Sequence, residues 1–151
     1  MQTKSFLDGL DHERIVAAIQ AAEARSRGEV RVHVSGKTVT DVEKAAARQF
    51  EALAMTRTAE RNGVLLFVAP ASQTFAIVGD TGIHAHCGPE FWKDVAAAVE
   101  TDFRAGRYTD GIVKGVARVG EALATHFPRA DGVALRGIGA AFRSGEHRTR
   151  A

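Results

Sequence analysis

Residues 61–83, RNGVLLFVAPASQTFAIVGDTGI, contain the clearest fold signal of this chain. Residues 64–69 and 75–78 are uninterrupted apolar runs, and residues 70–73 between them have the length and composition of a hairpin turn. The second run ends at Gly79 and Asp80, and Gly82 follows closely. Glycines tolerate positive φ and let backbone amides approach an ion, so this pattern predicts a loop that holds a small ion beside Asp80. The alternative is that Asp80 caps the first turn of a helix.

The sequence on either side of this hairpin alternates between helical and extended patterns. Residues 29–34, EVRVHV, alternate polar and apolar side chains with the period of a half-buried strand. Helical spacing predicts four helices, which we expect over residues 11–27, from a cap at Thr40 or Asp41 to Met55, from residues 88–89 to about 104, and from a cap at Thr109 or Asp110 to just before Pro128. This order predicts a three-layer α/β/α sandwich with a short mixed sheet, built from one parallel crossover and one hairpin.

The chain of 151 residues is 45% hydrophobic and 25% charged, which is typical of one globular domain. We expect that domain over residues 1–128, followed by a flexible, Gly- and Arg-rich extension over residues 129–151. The first residues lack a signal-peptide pattern, and no apolar run reaches the ~20 residues that cross a bilayer. A single cysteine, Cys87, excludes an internal disulfide. These features favour a cytoplasmic protein.

The net charge of +2 is concentrated at one end of the chain. Residues 129–151 carry a net charge of +3, which leaves −1 on residues 1–128. A nucleic-acid-binding domain normally places a basic stripe on its folded body. The charge distribution therefore argues against nucleic acid as a partner of the domain. We expect a protein partner, which the sequence does not identify.

Three oxygen-bearing residues are expected at one edge of the predicted sheet. Parallel pairing brings the starts of the first two strands together, and the hairpin returns the end of the third strand to the same edge. Glu29, Asn62 and Asp80 occupy those positions. Carboxylate and amide oxygens are the ligands that Ca²⁺ and Mg²⁺ select, so these residues are a candidate metal site. The competing interpretation is a solvated Glu29, with Asn62 and Asp80 capping local structure.

A second group of possible metal ligands follows Asp80. His84, His86 and Cys87 supply nitrogen and sulfur donors of the kind that Zn²⁺ binds. Residues two apart point in opposite directions on a strand and about 200° apart on a helix, so only an irregular loop would bring both histidines to one ion. The alternative is a partly exposed histidine pair next to a buried, inert cysteine.

Segments spread along the chain resemble the TPM domain family, which includes a thylakoid protein of photosystem II repair and a nematode acetylcholine-receptor modulator. The matching segments are GEVRVHVSG, RNGVLLFVA, FAIVGDTGI, the Phe-Trp pair at 91 and 92, FRAGRYTDGI and the closing Thr-His-Phe-Pro. The chain is most similar to a short bacterial branch without a membrane anchor. Many anchored relatives have Gly-Tyr-Gly-Leu-Glu where this chain has Gly-Asp-Thr-Gly-Ile at 79–83, so their additional carboxylate is missing here.

The resemblance implies an α/β sandwich, a divalent-cation site at a strand-end edge and, in some members, acid phosphatase activity. Asp80, Asn62 and Glu29 are the positions that match the family's site. We therefore expect a Ca²⁺- or Mg²⁺-binding interaction module without committed catalysis. The alternative is a metal-dependent acid phosphatase, in which Arg61 or Arg31 would stabilise transition-state charge. Motifs for serine nucleophiles and for nucleotide phosphate loops are absent from the sequence.

Overall fold

The computed structural model describes residues 1–129. Its elements are α1 (Thr3–Asp8), α2 (His12–Ala24), β1 (Glu29–Val34), α3 (Val42–Ala52), β2 (Gly63–Ala69), β3 (Thr74–Gly79), α4 (Thr81–Arg104) and α5 (Tyr108–His126). Short 3-10 turns occupy Met55–Arg57 and Pro70–Ser72. The extension predicted after residue 128 lies outside the described residues, apart from Arg129.

The three strands form one mixed sheet in the order β1-β2-β3. β1 runs parallel to β2 with Glu29 opposite Gly63, and β2 runs antiparallel to β3 with Val64 opposite Gly79. The predicted parallel crossover and the predicted hairpin are therefore both confirmed. The turn between β2 and β3 places Gln73 at φ 51°, in the left-handed region that closes the connection.

Helices cover both faces of the sheet, as the three-layer prediction requires. On one face, apolar side chains of α1, α2, α4 and α5 pack on alternate strand residues, which include Val30, Val32, Val34, Val64, Leu66 and Val68. On the other face, α3 and the following 3-10 turn pack on the intervening residues Leu65, Phe67 and Ala69. Every residue of β2 is buried, which explains its unbroken apolar sequence.

Asp11 and Asp41 begin α2 and α3 as predicted. The Asp11 carboxylate accepts a hydrogen bond from the Arg14 amide, and the Asp41 carboxylate accepts one from the Lys44 amide. Each bond satisfies an amide group that has no partner within its helix.

The helices differ from the sequence-based predictions at three points. The short helix α1 was not predicted, and its residue Phe6 is buried in the main core. The cap of α5 is Arg107 rather than Thr109 or Asp110, because Asp110 lies inside the helix and pairs with Arg14 at 2.9 Å. The chain also becomes helical at Thr81 instead of at Gly88. Gly88 breaks that helix with φ 75°, and a second helical segment continues after it.

No helix within residues 1–129 combines the length and the apolarity that a membrane span requires.

Candidate functional site

Asp80 stands at the exit of the hairpin and caps α4. Its Oδ1 accepts the Thr81 backbone N–H at 2.8 Å, so the capping alternative is confirmed. Arg61, just before β2, donates to the same carboxylate through Nε at 2.7 Å and through one terminal nitrogen at 2.9 Å. The Asp80 side chain is 5% exposed, whereas that of Arg61 is 46% exposed. The Asp80 hydrogen bond and the Asp80 charge raise the pKa of the Arg61 guanidinium.

The backbone around Arg61 holds the start of α4 in place. Arg61 has φ 51°, and its carbonyl accepts the N–H groups of Gly82 at 2.8 Å and Ile83 at 3.3 Å. A Cβ at Gly82 would lie 2.0 Å from the Glu60 carbonyl oxygen. Gly82 is therefore needed for close backbone approach, and the predicted positive-φ loop is wrong here, since the positive-φ glycines of residues 1–129 are Gly88 and Gly106.

The amide groups at this helix start have protein partners. The Thr81 amide binds Asp80, and the next two amides bind the Arg61 carbonyl. A helix N-terminus recognises a phosphate through amide groups that face the ligand. The first turn of α4 is consequently not arranged as a phosphate cradle.

An open cleft of about 240 Å³ lies beside the Asp80–Arg61 pair. Its lining includes Phe50 and Glu51 of α3, together with Thr56 of the 3-10 turn. Asp80, Thr81 and His84 also line it, next to Arg61 and the end of β3. The cleft thus combines two carboxylates, two hydroxyls, an imidazole and a guanidinium in one solvent-accessible space.

The backbones of Glu29, Asn62 and Asp80 meet at one end of the sheet. Glu29 pairs with Gly63, and the Asp80 amide donates to the Gly63 carbonyl at 2.9 Å. The residue between Glu29 and Asp80 in this row is therefore Gly63. A Cβ on Gly63 would meet the Met55 carbonyl at 3.2 Å, so Met55 packs over the centre of the row.

The side chains of Glu29 and Asn62 have other partners. The Glu29 carboxylate pairs with Arg31 at 3.1 Å. Asn62 is 1% exposed, and its Nδ2 donates to the Arg27 carbonyl at 3.4 Å. Neither residue lines the cleft beside Asp80. Within residues 1–129, no group of three or more Asp, Glu, His or Cys side chains is arranged to hold a metal.

The histidines near Asp80 contact different neighbours. His84 lies against Trp92 with ring centroids 6.2 Å apart, whereas His86 stacks on His126 at 4.8 Å. Cys87 packs against the main core, and burial raises the pKa of its thiol. The first segment of α4 is helical, so successive side chains turn by about 100° and do not face a common point.

Sequence reasoning missed Glu51 and Thr56 as residues of the cleft. Glu51 lies in the last turn of α3, and its sequence shows no feature that separates it from other exposed helix glutamates. The packing of α3 beside β3 brings Glu51 to the cleft that Asp80 also lines. Only the tertiary structure reveals that the two carboxylates share one cleft.

A mixed three-stranded sheet between two helical layers, with a capped helix at the hairpin exit, defines a small α/β/α sandwich domain. The chain belongs to the TPM domain family, whose family model matches residues 1–122. No curated protein matches it.

Solved structures similar to this chain include two with the following properties. The BA42 protein from the psychrophilic bacterium Bizionia argentinensis shares 37% identity at a TM-score of 0.74, over 82% of this chain and 87% of that one. The N-terminal domain of a protein from P. gingivalis shares 17% identity at a TM-score of 0.58, over 79% of this chain and 80% of that one. The second similarity shows a shared fold alone.

Proposed function

We propose that this TPM domain is a divalent-cation-binding interaction module in which Ca²⁺ or Mg²⁺ binds in the cleft beside Asp80. The observation that carries the proposal is the donor chemistry of that cleft. An ionised carboxylate offers about four lone-pair positions. Two N–H groups of Arg61 and the Thr81 amide occupy three of them, so Oδ2 of Asp80 retains one. Glu51 and Thr56 add further hard oxygen donors to the same cleft.

Arg61 is an internal competitor of the cation in this proposal. Its guanidinium supplies the positive charge that balances the nearly buried Asp80 carboxylate, and its own side chain is half exposed. A cation that approaches Oδ2 would be repelled by Arg61 unless that side chain turned toward solvent. We therefore expect modest affinity, and we expect removal of the guanidinium charge to increase it.

Asp80 is the principal ligand in this proposal, and Glu29 and Asn62 remain predicted ligands at the same end of the sheet. To reach the ion, Glu29 would leave Arg31, and Asn62 would give up its bond to the Arg27 carbonyl. Their contribution is therefore expected to be smaller than that of Asp80.

Metal-dependent hydrolysis of a phosphate ester is the second candidate function. Its support is that Arg61 and His84 line the same cleft as Asp80, and a guanidinium and an imidazole suit phosphoryl charge stabilisation and proton transfer. It is the second candidate because the amide groups at the start of α4 already bond to protein atoms and do not face a phosphate.

The test is titration of the full chain with Ca²⁺ and Mg²⁺, followed by amide NMR. Asp80→Asn keeps an oxygen to accept the Thr81 amide but removes the charge, so we expect saturable shifts near the cleft in the wild type and their loss in this variant. Asp41→Asn is the matched control, because Asp41 also caps a helix through its carboxylate. Arg61→Gln should bind more tightly than the wild type. Absence of saturable shifts, or equal loss in Asp41→Asn, would refute the proposal.

Turnover of p-nitrophenyl phosphate in the presence of each cation separates the two functions. A binding module gives no turnover above a protein-free control. Turnover that Asp80→Asn abolishes and Asp41→Asn preserves would establish the phosphatase instead.

A further inference from the structure

A pair of histidines joins the start of α4 to the end of α5. His86 lies just before the break at Gly88, and His126 is the last residue of α5. Their ring centroids are 4.8 Å apart, and their planes differ by 17°. His86 is exposed and His126 is partly exposed, so both rings are accessible from solvent.

This spacing suits two imidazoles that share one metal ion. A metal–nitrogen bond of about 2.0–2.1 Å places each ring centre ~3 Å from the ion, so two such rings have centres about 5 Å apart. The stacked rings have that separation, and metal binding would require each ring to turn about its Cβ–Cγ bond until one of its nitrogens faces the ion. The exposure of His86 leaves room for that rotation.

The electrostatic surroundings also allow a cation at this position. His126 ends α5, and the C-terminal end of a helix carries partial negative charge. Arg27 is a cation on the Phe127 side of the pair, and its guanidinium carbon lies 6.0 Å from the Phe127 ring centre. Its charge is balanced by Glu60, which accepts two hydrogen bonds at 2.7 and 2.8 Å. The Phe127 ring packs edge-on against His86 and supports it from one side.

We propose that His86 and His126 form a two-histidine site for a late first-row transition-metal ion, Zn²⁺, Ni²⁺ or Cu²⁺, with water completing the coordination. Imidazole nitrogen prefers these ions to Ca²⁺ and Mg²⁺, and Cu²⁺ binds most tightly in the usual order. Cys87 is left out of the ligand set, because its side chain packs against the main core. The site is separate from the cleft at Asp80 and does not depend on the function proposed there.

The experiment uses the full chain without a histidine tag. Calorimetric titration with Zn²⁺, Ni²⁺ and Cu²⁺ is carried out on the wild type and on His86→Ala, His126→Ala and His84→Ala. His84 is the matched control, since it is an exposed histidine of the same helical segment that stacks on Trp92 instead. We expect one ion per chain, with a Kd that rises about tenfold or more when either partner of the pair is removed. We expect His84→Ala to bind like the wild type.

Imidazole NMR of the wild type provides a readout that needs no substitution. Addition of Zn²⁺ should shift the His86 and His126 ring signals, and excess Ca²⁺ should not reverse those shifts. The proposal is overturned if no ion saturates, if a different histidine responds, or if His84→Ala weakens binding as much as His86→Ala.

Discussion

Glu23 is a buried carboxylate whose charge should make the stability of this domain fall as pH rises. It lies near the end of α2, is 3% exposed, and accepts the Val30 N–H through Oε2 at 2.7 Å. Burial raises its pKa from 4.5 to about 8, against the opposing effect of the Val30 hydrogen bond. The folded protein therefore keeps Glu23 protonated over a range in which the unfolded chain has already released that proton.

The sign and size of the effect follow from this difference in pKa. The contribution of protonated Glu23 to stability is fully present below about pH 4.5 and is lost as pH rises through about 8. At ~1.4 kcal/mol per unit of pKa shift, the loss is about 3–5 kcal/mol. Domains of this kind are stable by only ~5–15 kcal/mol, so the loss is a large fraction of the total.

Urea unfolding of the wild type and Glu23→Gln from pH 5 to pH 9 measures the effect. Glutamine keeps an oxygen that accepts the Val30 amide but carries no charge. We expect the wild type to lose stability across this range relative to Glu23→Gln, with most of the difference reached by pH 8. Comparing the two chains cancels every pH-dependent contribution that both share.

Glu121→Gln is the control, because Glu121 is an exposed residue of α5. The free energy of unfolding of Glu121→Gln should equal that of the wild type at every pH. Parallel curves of unfolding free energy against pH for Glu23→Gln and the wild type, between pH 5 and pH 9, would contradict this prediction. They would show that burial imposes no cost on the Glu23 charge.

Two further predictions concern helix packing and the turn between α4 and α5. In Gly120→Ala, the added Cβ would lie 2.7 Å from the Ala22 Cβ. Because this contact forces α2 and α5 apart, the free energy of unfolding measured in urea should fall by about 1–3 kcal/mol, and an unchanged value would contradict this prediction. Asp102 pairs with Lys114 at 3.0 Å and Arg107 at 2.9 Å, and these bonds lower its pKa below 3.8. The contribution of ionised Asp102 to the stability of the fold should therefore disappear as pH falls below about 4. In thermal unfolding, Asp102→Asn should consequently lose less stability in acid than the wild type does. An equal loss of thermal stability in acid for both chains would contradict this prediction.

Predictions from local sequence succeeded where one pattern determines one element. The alternation in residues 29–34 predicted β1 with the bounds it has, and Asp41 was correctly predicted as a cap. The start of α4 was harder to predict, because Gly79 and Gly82 suggested an ion-holding loop with positive φ. The actual role of Gly82 is to let α4 approach the Glu60 carbonyl, and that contact is invisible in sequence.

The candidate site was only partly accessible to sequence reasoning. Strand order and direction predicted that Glu29, Asn62 and Asp80 share one end of the sheet, and the strand register places them there. Their side chains nevertheless have separate partners, since Glu29 pairs with Arg31, Asn62 donates to the Arg27 carbonyl and Asp80 pairs with Arg61. Strand topology predicts backbone neighbours, whereas side-chain partners depend on packing and rotamer choice.

Local sequence patterns account for the three strands, for most of the helical segments and for the layers into which they pack. The periodicity of apolar residues indicates which face of each helix or strand is buried, and few arrangements of a hairpin, a parallel strand and helices bury every such face. The tertiary structure was needed to reveal the pairing of Asp80 with Arg61, the place of Glu51 in the cleft, the contact between His86 and His126, and the burial of Glu23. Each of these depends on distances of a few ångströms between side chains of different elements, and such distances are set by how the layers pack rather than by any local pattern.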